Sequence, residues 1–267
     1  MKQSVQHIIE KWYRELNFPQ KFDDEFYAAL QNVEINEDST IENFDLEEEN
    51  GKKSLLSCLF FCEAIKKKYE EKGIPMEVLY DTLHDLVVWT ETWSDVKGEL
   101  AMLEQGWLER HLSMKLFKLG RLQFSPGKAE MDIPTLGITK GDPMMEIHIP
   151  AVGPLNQEEC RKSIEWAKEF FAKYVPDYRY RYFTCHSWLL DTSLKQLLGE
   201  TSNIIRFQNM FAVLCEEKSD AILRYVFRWD CTREMLPQMP CSSGFAKKVK
   251  ELTLAGQEFH VSYGVIR

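Results

Sequence analysis

The sequence predicts an α+β protein, a mixed α/β fold in which a helical bundle is followed by a mixed sheet flanked by helices. Two observations predict it. In the first part of the chain apolar residues recur at steps of three and four, as at Ile9, Trp12 and Leu16, which is the period of a helix buried on one side. In the second part, short alternating segments are interleaved with helical ones, which indicates a layered sheet. We therefore expect two domains, 1–118 and 119–267.

The helical domain is predicted from apolar stripes and from the residues that stop helices. Gly73 followed by Pro75 is typical of a helix end and a restart. The segment 34–49 carries eight acidic residues and no basic one, which favours a solvated loop. The expected helices cover about 5–16, 24–30, 54–72, 75–95 and 98–118.

The second domain is predicted from strand-like and helix-like segments that alternate along the chain. Pro126-Gly127 is expected to form a turn behind the first strand. Asn156, with Glu159 three residues later, has the spacing of a capping box that begins a helix. The expected strands cover about 117–124, 145–150, 181–188, 211–217, 222–229 and 258–266, and the expected helices about 153–174, 191–198 and 243–255.

Composition excludes several classes of protein. The 33 Lys and Arg against 42 Asp and Glu give 33 − 42 = −9, and such a charge repels phosphate backbones, so no nucleic-acid partner is expected. No apolar run approaches the roughly 18 residues of a membrane span, so no membrane association is expected. Seven cysteines without an apolar signal segment favour reduced thiols and a cytoplasmic location.

Alternation along two strands places polar side chains together. Glu146 and His148 share one face of the strand at 145–150, because successive strand residues point to opposite sides. If that strand neighbours the one carrying His186, the two histidines face the same space, and Glu146 and Asp191 join them. Such a group suits general acid–base catalysis. The alternative is that each histidine is a half-buried, hydrogen-bonded residue of the sheet.

Three further polar residues are candidates for the site: one pairing is excluded for Cys185, and alternatives stay open for Arg206 and Asn203. Cys185 lies on the opposite strand face from His186, so the two cannot form a nucleophile–base pair. Arg206, between apolar neighbours, either pairs with an interior carboxylate or binds an anionic ligand. Asn203 either begins a turn or belongs to the same anion site. The histidines are scattered without HxH or HExxH spacing, so no metal is expected.

Four segments, taken together, resemble a family of bacterial two-domain acyltransferase-domain proteins. The family joins a helical acyltransferase N-terminal domain to a GNAT-like C-terminal domain, and the resemblance covers nearly the whole chain, with the segments in the family's order. They are LGRLQF (119–124), EIHIPAVGPL (146–155), FTCHSWLLD (183–191) and SNIIRFQ (202–208).

The resemblance implies transfer of an acyl group from an acyl-CoA, such as acetyl-CoA, to an amine or similar small-molecule acceptor by direct attack. In that chemistry a base takes a proton from the amine, a backbone N–H stabilises the oxyanion, and an acid protonates the departing thiolate. Glu146, His148 and His186 are the candidates for the base. Cys185 or Tyr182 is the candidate for the acid.

The resemblance also implies where the co-substrate binds. The CoA pyrophosphate is expected at the start of the helix after the central strand, where free backbone N–H groups suit an anion. Val152, Gly153 and Asn156 lie there, and Asn203 and Arg206 are expected to hold another anionic part of the ligand.

Two other functions compete with the acyltransferase. The usual GNAT pattern Q/R-x-x-G-x-G/A is absent from the sequence, which favours a non-catalytic ligand-binding module on a degenerate GNAT-like fold. A metal-assisted hydrolase would instead use His148, His186, His260 and Asp191. The helical domain is expected either to form one wall of the substrate cleft or to provide a surface for a homodimer or another partner.

Overall fold

The computed structural model describes residues 3–266, and the chain divides into two compact units, Met1–Leu119 and Gly120–Arg267. In the first unit, α3 is the central helix, and the five other helices pack around it or around one another. The helices are α1 (Gln3–Glu15), α2 (Asp23–Asn32), α3 (Gly51–Lys72), α4 (Met76–Leu83), α5 (Asp85–Lys97) and α6 (Gln105–Leu112).

The boundaries of α3 follow from its end residues. The Asn50 side chain accepts hydrogen bonds from the backbone N–H groups of Lys52 and Lys53, which satisfies two donors at the first turn. At the other end Gly73 has φ 64°, a left-handed conformation that glycine adopts without steric cost. Between them Cys58 and Cys62 are fully buried, so these thiols pack in the core.

Two expected helices of the first unit differ in the structure. The helix expected over 75–95 is divided at His84 into α4 and α5, and the one expected over 98–118 is reduced to α6. Gly98 at φ 72° ends α5, and the following backbone then pairs with another helix, because Met102 N–H donates to Gly51 O at 3.2 Å. Tertiary contacts thus override a nearly continuous apolar pattern.

Six strands form a mixed sheet in the order β1-β2-β3-β4-β6-β5. The β3 and β4 strands are parallel and are joined by α7 (Gln157–Tyr174), whereas the pairs β2/β3, β4/β6 and β5/β6 are antiparallel. The strands are β1 (Phe117–Leu119), β2 (Leu122–Lys128), β3 (Pro143–His148), β4 (Phe183–Ser187), β5 (Phe211–Lys218) and β6 (His260–Ile266).

Four short helices complete the second unit and share an apolar cluster that includes Leu194, Ile222, Val249 and Phe259. They are α8 (Leu194–Leu197), α9 (Asn203–Gln208), α10 (Ala221–Val226) and α11 (Gly244–Leu254). The α+β class with a helical first part and a mixed sheet is therefore confirmed. Within residues 3–266, no helix is both long enough and apolar enough to cross a membrane.

Two local predictions in the second unit are wrong. The strand expected over 222–229 is largely helix α10, because Ile222 and Leu223 are both buried while the next two residues are exposed, a helical and not an alternating pattern. The turn expected at Pro126-Gly127 lies inside β2. Pro126 lies opposite Met145 and Gly127 opposite Met144 of β3, so pairing with β3 continues the strand where the local pattern indicates a turn.

Candidate active site

The parallel strands β3 and β4 pair over a short distance and then separate. Their register consists of Met145 with Phe183 and Glu146 with Thr184, although β3 continues to His148 and β4 to Ser187. The ladder between the two strands therefore ends at Glu146 and Thr184, while each strand continues beyond it. A place where two parallel strands diverge suits an extended ligand.

Glu146, His148 and Ser125 form a hydrogen-bonded group beside this separation. The Ser125 hydroxyl donates to Glu146 Oε2 at 3.1 Å and lies 2.9 Å from His148 Nε2. His148 Nε2 is also 3.4 Å from Glu146 Oε2. Ser125 is fully buried, whereas the side chains of Glu146 and His148 are 31% and 24% exposed, so they remain accessible to a reactant.

Ser125 was not predicted from the sequence. It lies on β2 directly opposite Glu146 in the antiparallel register, and alternation along the strand also brings Gln123 and Gly127 to the same face. The signal that would have identified Ser125 is this register, which the sequence of β2 alone does not contain.

Gly127 makes room for the Glu146 side chain. A Cβ atom on Gly127 would lie 2.2 Å from Glu146 Oε1, far inside van der Waals contact. The Glu146 carboxylate therefore crosses β2 above a residue without a side chain. On the backbone of the same residue, Gly127 N–H donates to the Tyr178 hydroxyl at 3.0 Å.

His186 lies on the other side of the separation, on the same face as Glu146 and Thr184. Its Nδ1 is 3.3 Å from Glu130 Oε1, and its ring packs edge-on against Tyr263, with ring centroids 6.2 Å apart. The expectation that β3 and β4 are neighbours holds, because they are joined by α7 and pair in parallel. His186 and Glu130 are both exposed, so their ion pair contributes at most about 1 kcal/mol to stability.

The two candidates for the acid have different surroundings. Cys185 is buried on the opposite face of β4, and burial raises the pKa of its thiol far above the ordinary value. Such a thiol is a weaker acid than an ordinary one, which disfavours Cys185 as the group that protonates a departing thiolate. The Tyr182 hydroxyl is half-buried and lies 3.5 Å from Leu136 O, in the loop between β2 and β3.

Asp191 does not join the histidines of β3 and β4, contrary to expectation. It is buried, and its two carboxylate oxygens accept from Ser193 N–H and His260 N–H, each at 2.8 Å. His260 Nδ1 lies 3.7 Å from Asp191 Oδ1. The carboxylate thus fixes the start of α8 against β6, because its lone pairs are used by the local backbone.

The metal set of the hydrolase hypothesis is consequently not assembled. Its members have separate partners: His148 lies beside Glu146, His186 beside Glu130, and His260 beside Asp191. Across residues 3–266, no three His, Cys, Asp or Glu side chains converge in a way that could hold a metal ion.

The loop between β3 and α7 is held by Arg121. Its guanidinium donates to Pro154 O at 2.9 Å and to Pro150 O and Gly153 O at 3.2 Å. Gly153 has φ 67°, a left-handed conformation that explains the glycine at this position. Val152 is half-buried in this loop. Arg121 therefore fixes the path of the backbone that leads into α7.

The first turn of α7 carries its own cap. Asn156 Oδ1 accepts from Glu158 N–H at 2.9 Å and from Glu159 N–H at 3.2 Å, so the cap predicted at Asn156 is confirmed. Gln157 Nε2 donates to Arg206 O at 2.9 Å, which places α9 beside this turn.

Arg206 and Asn203 both lie on α9, and their exposure decides between some of the alternatives expected for them. Arg206 is exposed on α9, so the alternative of an interior ion pair is wrong, and its backbone carbonyl is hydrogen-bonded to the first residue of α7. Asn203 is the exposed first residue of α9 and so begins a helix.

Comparison with known families identifies the second unit. Residues 116–266, more than half of the chain, match the model of the GNAT-like C-terminal domain. The chain belongs to this family. Residues 3–114 match the model of the N-acyltransferase N-terminal domain, so this GNAT-like protein has the two-domain order expected from its sequence.

Solved structures share the fold of this GNAT-like protein over almost its whole length. An acyltransferase in complex with decanoyl-CoA and teicoplanin has a TM-score of 0.77 at 23% identity, covering 96% of this chain and 86% of that chain. An acyltransferase in complex with decanoyl-CoA has a TM-score of 0.71 at 25% identity, covering 98% and 77%. A mutant acyltransferase with octanoyl-CoA has a TM-score of 0.78 at 24% identity, covering 97% and 87%. The comparison with curated proteins found no match.

Proposed function

We propose that this GNAT-like protein transfers an acyl group from an acyl-CoA to an amine by direct attack. The observation that carries the proposal is the separation of β3 from β4 with Glu146, Ser125 and His148 beside it. Membership of the GNAT-like family supports it, and so does the similar acyltransferase that is 25% identical and was solved with decanoyl-CoA.

The proposed step balances in atoms and charge. The amine nitrogen attacks the thioester carbonyl carbon, a C–N bond forms, and the C–S bond breaks when the tetrahedral intermediate collapses. The products are an amide and CoA thiol, because the proton lost by the nitrogen replaces the acyl group on sulfur. A base near the amine and a proton source near the sulfur accelerate the two proton transfers.

His148 is the base that this arrangement favours. Its imidazole is partly exposed, and Glu146 supplies a carboxylate within 3.4 Å that stabilises the imidazolium formed on proton uptake. His186, across the separation and paired with Glu130, is the second candidate. With Cys185 buried on the other face, Tyr182 or solvent water is left to return a proton to the CoA thiolate.

The place where β3 and β4 diverge beyond Glu146 and Thr184 suits the extended amide-bearing arm of an acyl-CoA. We propose that the phosphates of the acyl-CoA bind at Gly153 and Val152, in the loop that Arg121 holds. Arg206, which is exposed on α9 beside the start of α7, is proposed to contact the same phosphates. Asn156 already caps two N–H groups of that turn, so the guanidinium of Arg206 is the stronger contact for an anion.

We expect the melting temperature to rise in the presence of the correct acyl-CoA. A ligand at about 100 times its Kd adds roughly 2.7 kcal/mol to the free energy of unfolding. The measurement is a thermal melt with acetyl-, octanoyl- and decanoyl-CoA, with free CoA and with the corresponding fatty acids as controls, followed by a transfer assay with mixed amines. Binding without transfer would favour the ligand-binding module. No shift and no transfer with any of these compounds would contradict the proposal.

Replacing Gly127 by alanine is expected to lower kcat/KM for acyl transfer on the order of 100-fold, the cost of displacing a catalytic group by about 1 Å. The new Cβ would occupy the space of the Glu146 carboxylate, 2.2 Å from Oε1. Steady-state kinetics measure the loss. Gly199→Ala is the matched control, because a Cβ there meets no atom within 4 Å. Equal activity of the two variants would show that the position of Glu146 is unimportant.

The acceptor that we propose is a small molecule with a primary amine. One of the similar acyltransferases was solved in complex with decanoyl-CoA and teicoplanin, which supports a small-molecule acceptor of that general kind for this chain. A cytoplasmic location remains part of the proposal. It is supported by the seven cysteines, all of which are free thiols.

A further inference from the structure

Ser125 bridges the carboxylate and the imidazole, and its single hydroxyl hydrogen restricts how the three groups share protons. A serine hydroxyl donates one hydrogen bond and accepts through its lone pairs. Here the hydroxyl donates to Glu146 Oε2 at 3.1 Å. Toward His148 Nε2, 2.9 Å away, the same oxygen can therefore present only a lone pair.

A lone pair at 2.9 Å is a hydrogen bond only if His148 Nε2 carries a hydrogen. The second neighbour of this nitrogen leads to the same assignment, because Glu146 Oε2 is an acceptor 3.4 Å away. The opposite tautomer would direct the Nε2 lone pair at both a carboxylate oxygen and a hydroxyl that is already donating. In the low dielectric around the fully buried Ser125, that repulsion is weakly screened.

We propose that Ser125 is a positioning residue that holds neutral His148 in the Nε2–H tautomer, which leaves the lone pair on Nδ1. The use of that lone pair rests on the proposed function: Nδ1 is then the atom that takes the amine proton. The N–H bond of the attacking amine breaks, an Nδ1–H bond forms, and the resulting imidazolium donates through Nε2 to Ser125 and Glu146. No other reactant is needed for this proton transfer.

The tautomer is measured directly, without substrate, by long-range ¹H–¹⁵N NMR on the full chain with ¹⁵N-labelled histidine. His148 is assigned by the signals that disappear in His148→Gln, at a pH at which the ring is neutral. We expect the Nε2–H pattern in the parent protein. An Nδ1–H pattern, or an equal mixture of the two, would overturn the assignment.

Variants test whether Ser125 is the cause. Ser125→Ala is expected to shift the His148 signals toward a tautomer mixture, and Ser125→Thr, which keeps a hydroxyl, to restore the parent pattern. Ser262→Ala is the matched control: its hydroxyl is equally buried in the same sheet but donates to Glu216. If Ser125→Ala does not fold, Glu146→Gln gives a second test, because without the carboxylate the hydroxyl can turn toward His148. Unchanged His148 signals in the folded variants would exclude the role of Ser125.

Kinetics distinguish failure of this inference from failure of the proposed function. In an active enzyme, Ser125→Ala is expected to lower kcat about tenfold, as for the loss of one hydrogen bond, at little change in KM. It is also expected to move the acidic limb of the pH–rate profile to lower pH, because the imidazolium loses an acceptor. Ser262→Ala is expected to change neither. An active parent protein with the Nδ1–H tautomer would refute the role of Ser125 alone. An Nε2–H tautomer in a protein that transfers no acyl group would refute the acyltransferase and leave the tautomer assignment valid.

Discussion

Replacing His148 by glutamine is expected to lower kcat/KM for acyl transfer by about 10²–10⁴-fold, the usual contribution of a general base. Glutamine retains a polar side chain next to Ser125, 2.9 Å from the imidazole in the structure, but cannot take up a proton. The loss is measured by the release of CoA thiol with a saturating acyl-CoA and an amine acceptor. The acidic limb of the pH–rate profile, in which a protonated base slows the reaction, is expected to disappear with it.

Two other histidines serve as comparisons. His7→Gln, at an exposed position of α1, is the control and is expected to leave the rate unchanged. His186→Gln is expected to reduce the rate less than His148→Gln, because His186 is paired with Glu130 and not with the Glu146 and Ser125 group. Parent-like rates in both His148→Gln and His186→Gln would show that neither is the base.

Replacing Asp85 by alanine is expected to lower the free energy of unfolding by about 3–5 kcal/mol, as for removal of one partner from a buried polar pair. Asp85 Oδ2 accepts from Trp107 Nε1 at 3.0 Å and lies 2.9 Å from His111 Nε2. His111 is fully buried and Asp85 nearly so, so water cannot easily replace the lost acceptor. These contacts tie α5 to α6.

Urea unfolding followed by circular dichroism measures this loss. Glu165→Ala is the control, because the Glu165–Lys168 ion pair is more than half exposed and contributes at most about 1 kcal/mol. A free energy of unfolding for Asp85→Ala within 1 kcal/mol of the parent value would mean that the buried carboxylate does not stabilise the helical unit.

The local sequence pattern was sufficient to predict the helices that have a strong hydrophobic period and a clear capping residue. Ile9 and Trp12 of the predicted apolar stripe lie in α1 and Leu16 directly follows it, with all three side chains buried. The cap at Asn156 became the start of α7. Where a tertiary contact competes with the period, the local pattern was misleading. One nearly continuous apolar segment was divided at His84, and 222–229 became largely helix because two adjacent apolar residues had to be buried on the same side.

In the candidate site, too, some residues are predictable from the local pattern and others only from the tertiary structure. Alternation alone places Glu146 and His148 on one face of β3, because the side-chain period of a strand is two. Ser125 and Gly127 entered the site only through the register of β2 against β3, and a shift of one residue would have turned both away. Asp191 was expected near the histidines and is instead bound by the backbone of Ser193 and His260.

By itself, the sequence determined the fold class, the two-domain order, the family and the shared face of Glu146 and His148. The fold class and the shared face depend on local hydrophobic and strand periods. The family and the domain order depend on sequence segments that occur in the family's order. Tertiary structure alone decided the separation of β3 from β4, the serine bridge between carboxylate and imidazole, and the space above Gly127. These features depend on strand register and on contacts between residues distant in the chain, which no local pattern encodes.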